Sequence, residues 1–139
     1  MNPDSSFQNP TAPGDSRALK GKRGLQRLLN ACRYSYDGLR SAWIEEDAFR
    51  QELLLGAVLV PVALLLPISP VERLLLIGSI FLVLIVELFN TAIEAAIDRH
   101  SFEINPLGKR AKDVGSAAVM LSLLFAAITW VSVLWSRFG

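Results

Sequence analysis

Residues 74–99 read LLLIGSIFLVLIVELFNTAIEAAIDR. Positions 74–86 carry no charge, and the helical pattern then runs on through Glu87 to an exit at Asp98, Arg99 and His100. A stretch of that length and character reads as a membrane span. Inside it, Glu87, Asn90, Glu94 and Asp98 are spaced three, four and four residues apart. At 3.6 residues per turn they share one helix face, within an arc of about 80°. A carboxylate at mid-bilayer costs about 2.5–3.5 kcal/mol even on the lenient insertion scale. Three of them facing lipid would threaten the span, so the stripe must face protein, a metal or water.

If Arg99 marks the headgroup boundary, Glu94 lies about 8 Å inside and Glu87 about 18 Å inside, at 1.5 Å per residue. Tilt, or a helix projecting into the cytoplasm, makes both shallower. Two readings of the stripe stay open. In one, the acids are structural, each bonded to a cation or hydroxyl on a neighbouring helix, and Asn90 only knits helices together. In the other, the all-oxygen set holds Mg²⁺, which commonly takes one or two carboxylates plus substrate phosphates and waters. Carboxylates with Mg²⁺ beside basic residues are what nucleotide phosphoryl chemistry requires.

Two further spans lie on either side. Residues 53–68 are apolar apart from Gly56 and Pro61, but this run reaches only about 24 Å against a core of roughly 30 Å. The span must therefore recruit the turn before it, so the first span is expected over about 49–68 and the second over about 71–98. Pro67, Ser69 and Pro70 make the turn between them. A polar loop is expected over 101–113, and the third span over about 114–135, with Trp135 and Arg137 as interfacial anchors. The third span offers mostly Ser116, Ser122, Thr129 and Ser132 to cover the acidic face. Self-association is the economical answer, and Gly115, Ser116, Ala117 and Ala118 are small enough to let backbones approach closely.

Composition agrees with a membrane chain: of 139 residues, 52% are apolar, and mean hydropathy is +0.39. A net charge of +1 leaves no global basic field for nucleic acid. One Cys and one His exclude an internal disulfide and a Cys/His zinc cage within one chain.

Residues 1–24, with Pro3, Pro10 and Pro13 and Phe7 as their one large aromatic, are expected to stay a disordered tail. From Leu25, the apolar positions Leu28, Leu29, Cys32, Tyr36, Leu39 and Trp43 follow one helical face, opposite Arg27, Asn30, Arg33, Asp37 and Arg40. This predicts an amphipathic helix over about 25–47. It suits the headgroup plane, and packing on partner helices explains the stripe as well. Eight of the 14 Lys and Arg precede the first span and four lie between Arg99 and Lys112. The positive-inside rule then predicts a cytoplasmic N-terminus and middle loop and a C-terminus on the far side.

Residues 110–113, Arg-Ala-Lys-Asp, lead into Gly115 on the cytoplasmic side. Lys112 can meet phosphate as a point charge and Asp113 can orient it, or both can serve anchoring and helix capping. Soluble kinase motifs are missing: the sequence has no G-x-x-x-x-G-K-[ST] loop, no glycine-rich strand loop and no H-R-D. A nucleotide bound here is bound by another architecture.

The segment 87–99, ELFNTAIEAAIDR, followed by AKDVGSAA at 111–118, resembles the signature of the prokaryotic diacylglycerol kinase family. Upstream, Tyr34-Ser35, residues 38–40, 42–44 and 48–52 are similar to its Gram-negative branch, and the likeness runs from about Leu25 to Gly139. The resemblance implies an all-α, trimeric inner-membrane enzyme with a surface helix and three spans. It implies transfer of the ATP γ-phosphate to the hydroxyl of diacylglycerol with Mg²⁺. Glu87 would be the base, Glu94 and Glu46 the metal carboxylates, with Arg27, Tyr34, Glu103, Asn105, Lys112 and Asp113 around the nucleotide, and Asn90 and Asp98 supporting that site. Arg40, Trp43, Ala48, Arg50, Gln51, Glu52, Ser116 and Trp130 would meet the lipid. Asn105-Pro106 departs from the His-Glu or His-Pro usual in the family. Two rival readings are an undecaprenol kinase and a small oligomeric ion or proton pathway, though 74–86 offers only Ser79 as a polar group for conduction.

Overall fold

The computed structural model describes residues 15–100 and 105–139, with side chains from Gly24 to Arg99 and from Asn105 onward. The described chain is all helical: α1 Asp15–Glu45, α2 Asp47–Leu65, α3 Pro70–His100 and α4 Pro106–Phe138. α2, α3 and α4 are each long and apolar enough to cross a membrane. Two compact units divide the chain, Met1–Leu39 and Arg40–Gly139.

α1 begins at Asp15, ten residues before the expected Leu25. Residues 17–23, Arg-Ala-Leu-Lys-Gly-Lys-Arg, are mostly good helix formers, and the last proline before them is Pro13. The expected disorder of 1–14 lies outside the described residues. α1 ends at Glu45, one residue short of α2. Arg50 holds that corner: its Nη1 donates to the carbonyls of Trp43 and Ile44, 2.9 Å each, and its Nη2 pairs with Asp47. Two of the orphan carbonyls at the end of α1 are thus satisfied by a cation, which also suits the helix dipole.

α2 stops at Leu65 because Pro67 disfavours helical backbone in the residue before it, and Leu66 is already extended (φ −65°, ψ 139°). Arg73 closes this end by donating to the carbonyls of Ala63 (3.2 Å) and Leu66 (3.1 Å). The following turn is a capping box. The Ser69 amide donates to Glu72 Oε2 at 2.7 Å, and the Glu72 amide donates to Ser69 Oγ at 3.3 Å. This end of the bundle packs Ala63, Leu76 and Val133 together, with Leu66, Ile68, Ile77 and Trp130 against them. Gly56 lets α2 and α3 close up: a Cβ there would stand 2.9 Å from Ile80 Cγ2.

The expected loop over 101–113 is helical from Pro106. Asn105 is the N-cap, its Oδ1 accepting the Leu107 amide at 2.9 Å, and Pro106 sits where its missing N–H costs nothing. The 33 residues of α4 and 31 of α3 reach about 50 and 46 Å, beyond a core of roughly 30 Å. Both helices therefore stand clear of the hydrocarbon at one or both ends. Exposed apolar side chains such as Leu54, Val58, Phe81, Ile85, Leu121 and Ile128 cover the outer faces. In water such a surface would aggregate, and in a bilayer it is what lipid or a second copy covers.

Candidate active site

The acidic stripe of α3 turns inward. Glu87 is 3% exposed, and Asn90 and Glu94 are half-buried on the turns beyond it. Charges from two other segments converge on it. Glu46, at the junction of α1 and α2, and Glu94 both act electrostatically on Glu87, and Glu87 acts on Glu52 of α2. Four carboxylates from three segments thus share one neighbourhood. Glu46 is the N-cap residue of α2, but its side chain makes no cap hydrogen bond, so its carboxylate is free for other work.

Asn90 connects this group to α4. Its Nδ2 donates to Glu94 Oε1 at 3.4 Å, and its Oδ1 is buried with no hydrogen-bond partner among the described residues. The amide lies directly on Gly115, where an added Cβ would collide with Asn90 Oδ1. Thr91 Oγ1 is likewise buried without a partner. It was not anticipated from the sequence, because a threonine flanking a polar stripe carries no signal of its own.

At the outer end, α3 and α4 are bridged by Lys112 Nζ and Asp98 Oδ1 at 2.6 Å. Lys112 also lies within reach of the charge of Glu94. Asp113 points elsewhere and pairs with Lys109 at 2.7 Å, both largely exposed. Starting α4 at Pro106 produces this division, since it places Lys109 and Asp113 four apart on a helix surface. Asn105 is engaged as the cap. Glu103 lies outside the described residues. Arg27 and Tyr34 belong to the first unit and are exposed on α1.

On the membrane side of Glu52, a cleft of about 380 Å³ opens between α2, α3 and α4, lined by Glu52, Gly56, Leu59, Ile80, Val83 and Trp130 among others. Its walls are apolar except at two points. Glu52 Oε2 and Trp130 Nε1 are each buried without a hydrogen-bond partner among the described residues. A buried donor and a buried acceptor left open at one apolar cleft fit a lipid-sized molecule with a polar centre. Of the other residues expected at the lipid, Arg40, Trp43, Ala48, Gln51 and Ser116 are exposed, while Arg50 is occupied at the α1–α2 corner. Leu59, Ile80 and Val83 escaped the sequence reading because apolar residues in a span look alike until helices are packed.

Among the described residues, no three His, Cys, Asp or Glu side chains converge as a metal-holding group. The acids instead meet as a looser set around Glu87.

Residues 33–134 match the family model described as prokaryotic diacylglycerol kinase. The chain is 49% identical over 116 residues to the diacylglycerol kinase of Escherichia coli (strain K12), covering 84% of this chain and 95% of that protein. It is 52% identical over 116 residues to the diacylglycerol kinase of Pseudomonas aeruginosa, covering 84% and 94%. To that of Haemophilus influenzae it is 41% identical over 111 residues, covering 80% and 94%. A match that takes in the buried acids of α3, Lys112 and all three spans makes this chain a membrane enzyme of the prokaryotic diacylglycerol kinase family.

Proposed function

We propose that the enzyme transfers the γ-phosphate of ATP to the free hydroxyl of diacylglycerol, giving phosphatidic acid, in the bacterial inner membrane. The observation that carries this reading is the burial of Glu87 beside Glu46, Glu94 and Glu52 at the polar end of an apolar cleft. The lipid's acyl chains lie in the cleft, and its glycerol region meets Glu52 and Trp130. Glu87 accepts the hydroxyl proton as the hydroxyl oxygen bonds to the γ-phosphorus and the bond to ADP breaks.

Four carboxylates sharing a site require compensating positive charge. Glu46 and Glu94 fit Mg²⁺, whose usual protein contribution is one or two carboxylates. Three converging side chains are therefore not required. When bound, the ion offsets charge on the nucleotide phosphates. Lys112, held by Asp98, and Arg27 add further positive charge, while Asn90 keeps Glu94 in place. Tyr34, Asn105, Asp113 and Glu103 complete the nucleotide surroundings. Arg40, Trp43, Ala48, Arg50, Gln51 and Ser116 frame the lipid entrance. Most of the rate comes from positioning and charge neutralisation, as in phosphoryl transfer generally.

The exposed apolar faces and the small residues Ser116, Ala117 and Ala118 on α4 support assembly into a homotrimer, with α1 on the cytoplasmic surface and the C-terminus periplasmic. The test is labelled ATP with diacylglycerol or undecaprenol in detergent micelles, with and without Mg²⁺. Mg²⁺-dependent label in phosphatidic acid, exceeding that in the polyprenol, is expected. Label in neither lipid, or in undecaprenol alone, overturns the assignment.

A further inference from the structure

α1 starts well ahead of residue 33, where the family match begins. Residues 17–23 in that leading stretch, RALKGKR, hold four basic residues and no acid. At about 100° per residue, Leu25, Leu28, Leu29, Cys32, Tyr36 and Leu39 form one stripe. These side chains are exposed. Arg17 and Lys22 fall by register on the two borders of the stripe. Lys20 and Arg23 fall on the outer flank, yet a helix is only about 10 Å across, so they too lie within about one Debye length of a surface touching the stripe. A single residue separates α1 from α2, so the helix cannot diffuse away from the bilayer that α2 enters.

We propose that residues 17–23 dock on the anionic headgroups of the bilayer, with Arg17 and Lys22 bracketing the apolar stripe and Lys20 and Arg23 adding to the attraction. The occupant is an anionic phospholipid surface. An uncharged surface offers the stripe its apolar contact but gives the four cations nothing to pair with. Each Lys or Arg near an anionic leaflet contributes about fivefold in partition, so the two bordering residues alone suffice for an effect of more than tenfold. This surface is separate from the proposed catalytic chemistry and does not depend on it.

The test is hydrogen exchange of the full chain in nanodiscs of phosphatidylcholine alone or with about 30% phosphatidylglycerol. Amides 15–24 are expected to exchange about tenfold more slowly in the anionic discs, and the difference is expected to vanish in about 0.5 M salt. Replacing Arg17, Lys20, Lys22 and Arg23 together by Gln should abolish the difference while α3 exchange stays the same. The variant R17K/R23K, which preserves charge, should keep it. Equal exchange in the two discs overturns the proposal. So does slowing by ATP in phosphatidylcholine discs without any lipid effect, because the segment would then be reading free phosphate.

Discussion

The amide of Asn90 rests on Gly115, and no side chain larger than hydrogen fits beneath it. The same amide donates to Glu94, so the identity of residue 115 on α4 governs where a carboxylate on α3 stands. Gly115→Ala should therefore push Asn90 off its seat and release Glu94. Overpacking of this kind costs about 1–3 kcal/mol, which a bundle of this length survives. Turnover is expected to fall at least tenfold, with the apparent Mg²⁺ requirement shifted upward, while circular dichroism stays helical. Wild-type turnover in G115A removes Asn90 from the support of the site.

Glu87 has the opposite profile, since it touches the proposed chemistry directly. Glu87→Gln keeps the shape and removes the proton acceptor. Loss of a general base is worth about 10²–10⁴ in rate. A drop in that range, with oligomer size by light scattering unchanged, is the expected result. Retained turnover would mean the hydroxyl proton leaves by another route.

The bridge between Lys112 and Asp98 is largely open to water on the Asp98 side, so it adds little to folding. Its value is in aiming the ammonium. Asp98→Asn should leave the thermal midpoint nearly unchanged and raise the KM for ATP severalfold, with a smaller change for the lipid. Lys112→Met should do the same more strongly. Equal effects on both substrates would show that the pair serves general packing instead.

Arg73 offers a contrast at the other end of the bundle, where it donates to the carbonyls of Ala63 and Leu66 and lies far from the acids. Hydrogen bonds from a charged group contribute about 1.5–3 kcal/mol. Arg73→Gln should lower unfolding stability in mixed micelles by about that amount, while activity per folded enzyme holds. A selective loss of activity would place this turn in the catalytic cycle.

The number of spans and the shared face of Glu87, Asn90, Glu94 and Asp98 could be read from the sequence alone. Hydropathy and the 3.6-residue period are properties of one segment, and neither depends on what that segment touches. The cost of leaving carboxylates in lipid then required the face to point inward, as the burial of Glu87 bears out. Other features depended on segments far apart in the chain. Glu46 reaches Glu87 across the whole of α2 and half of α3, and Asn105 starts α4 early enough to separate the roles of Lys112 and Asp113. The seat of Asn90 on Gly115 and the cleft below Glu52 exist only once α2, α3 and α4 pack. Periodicity says which face of a helix is polar, but which polar groups meet is decided by close packing between helices, where one methyl group changes the answer.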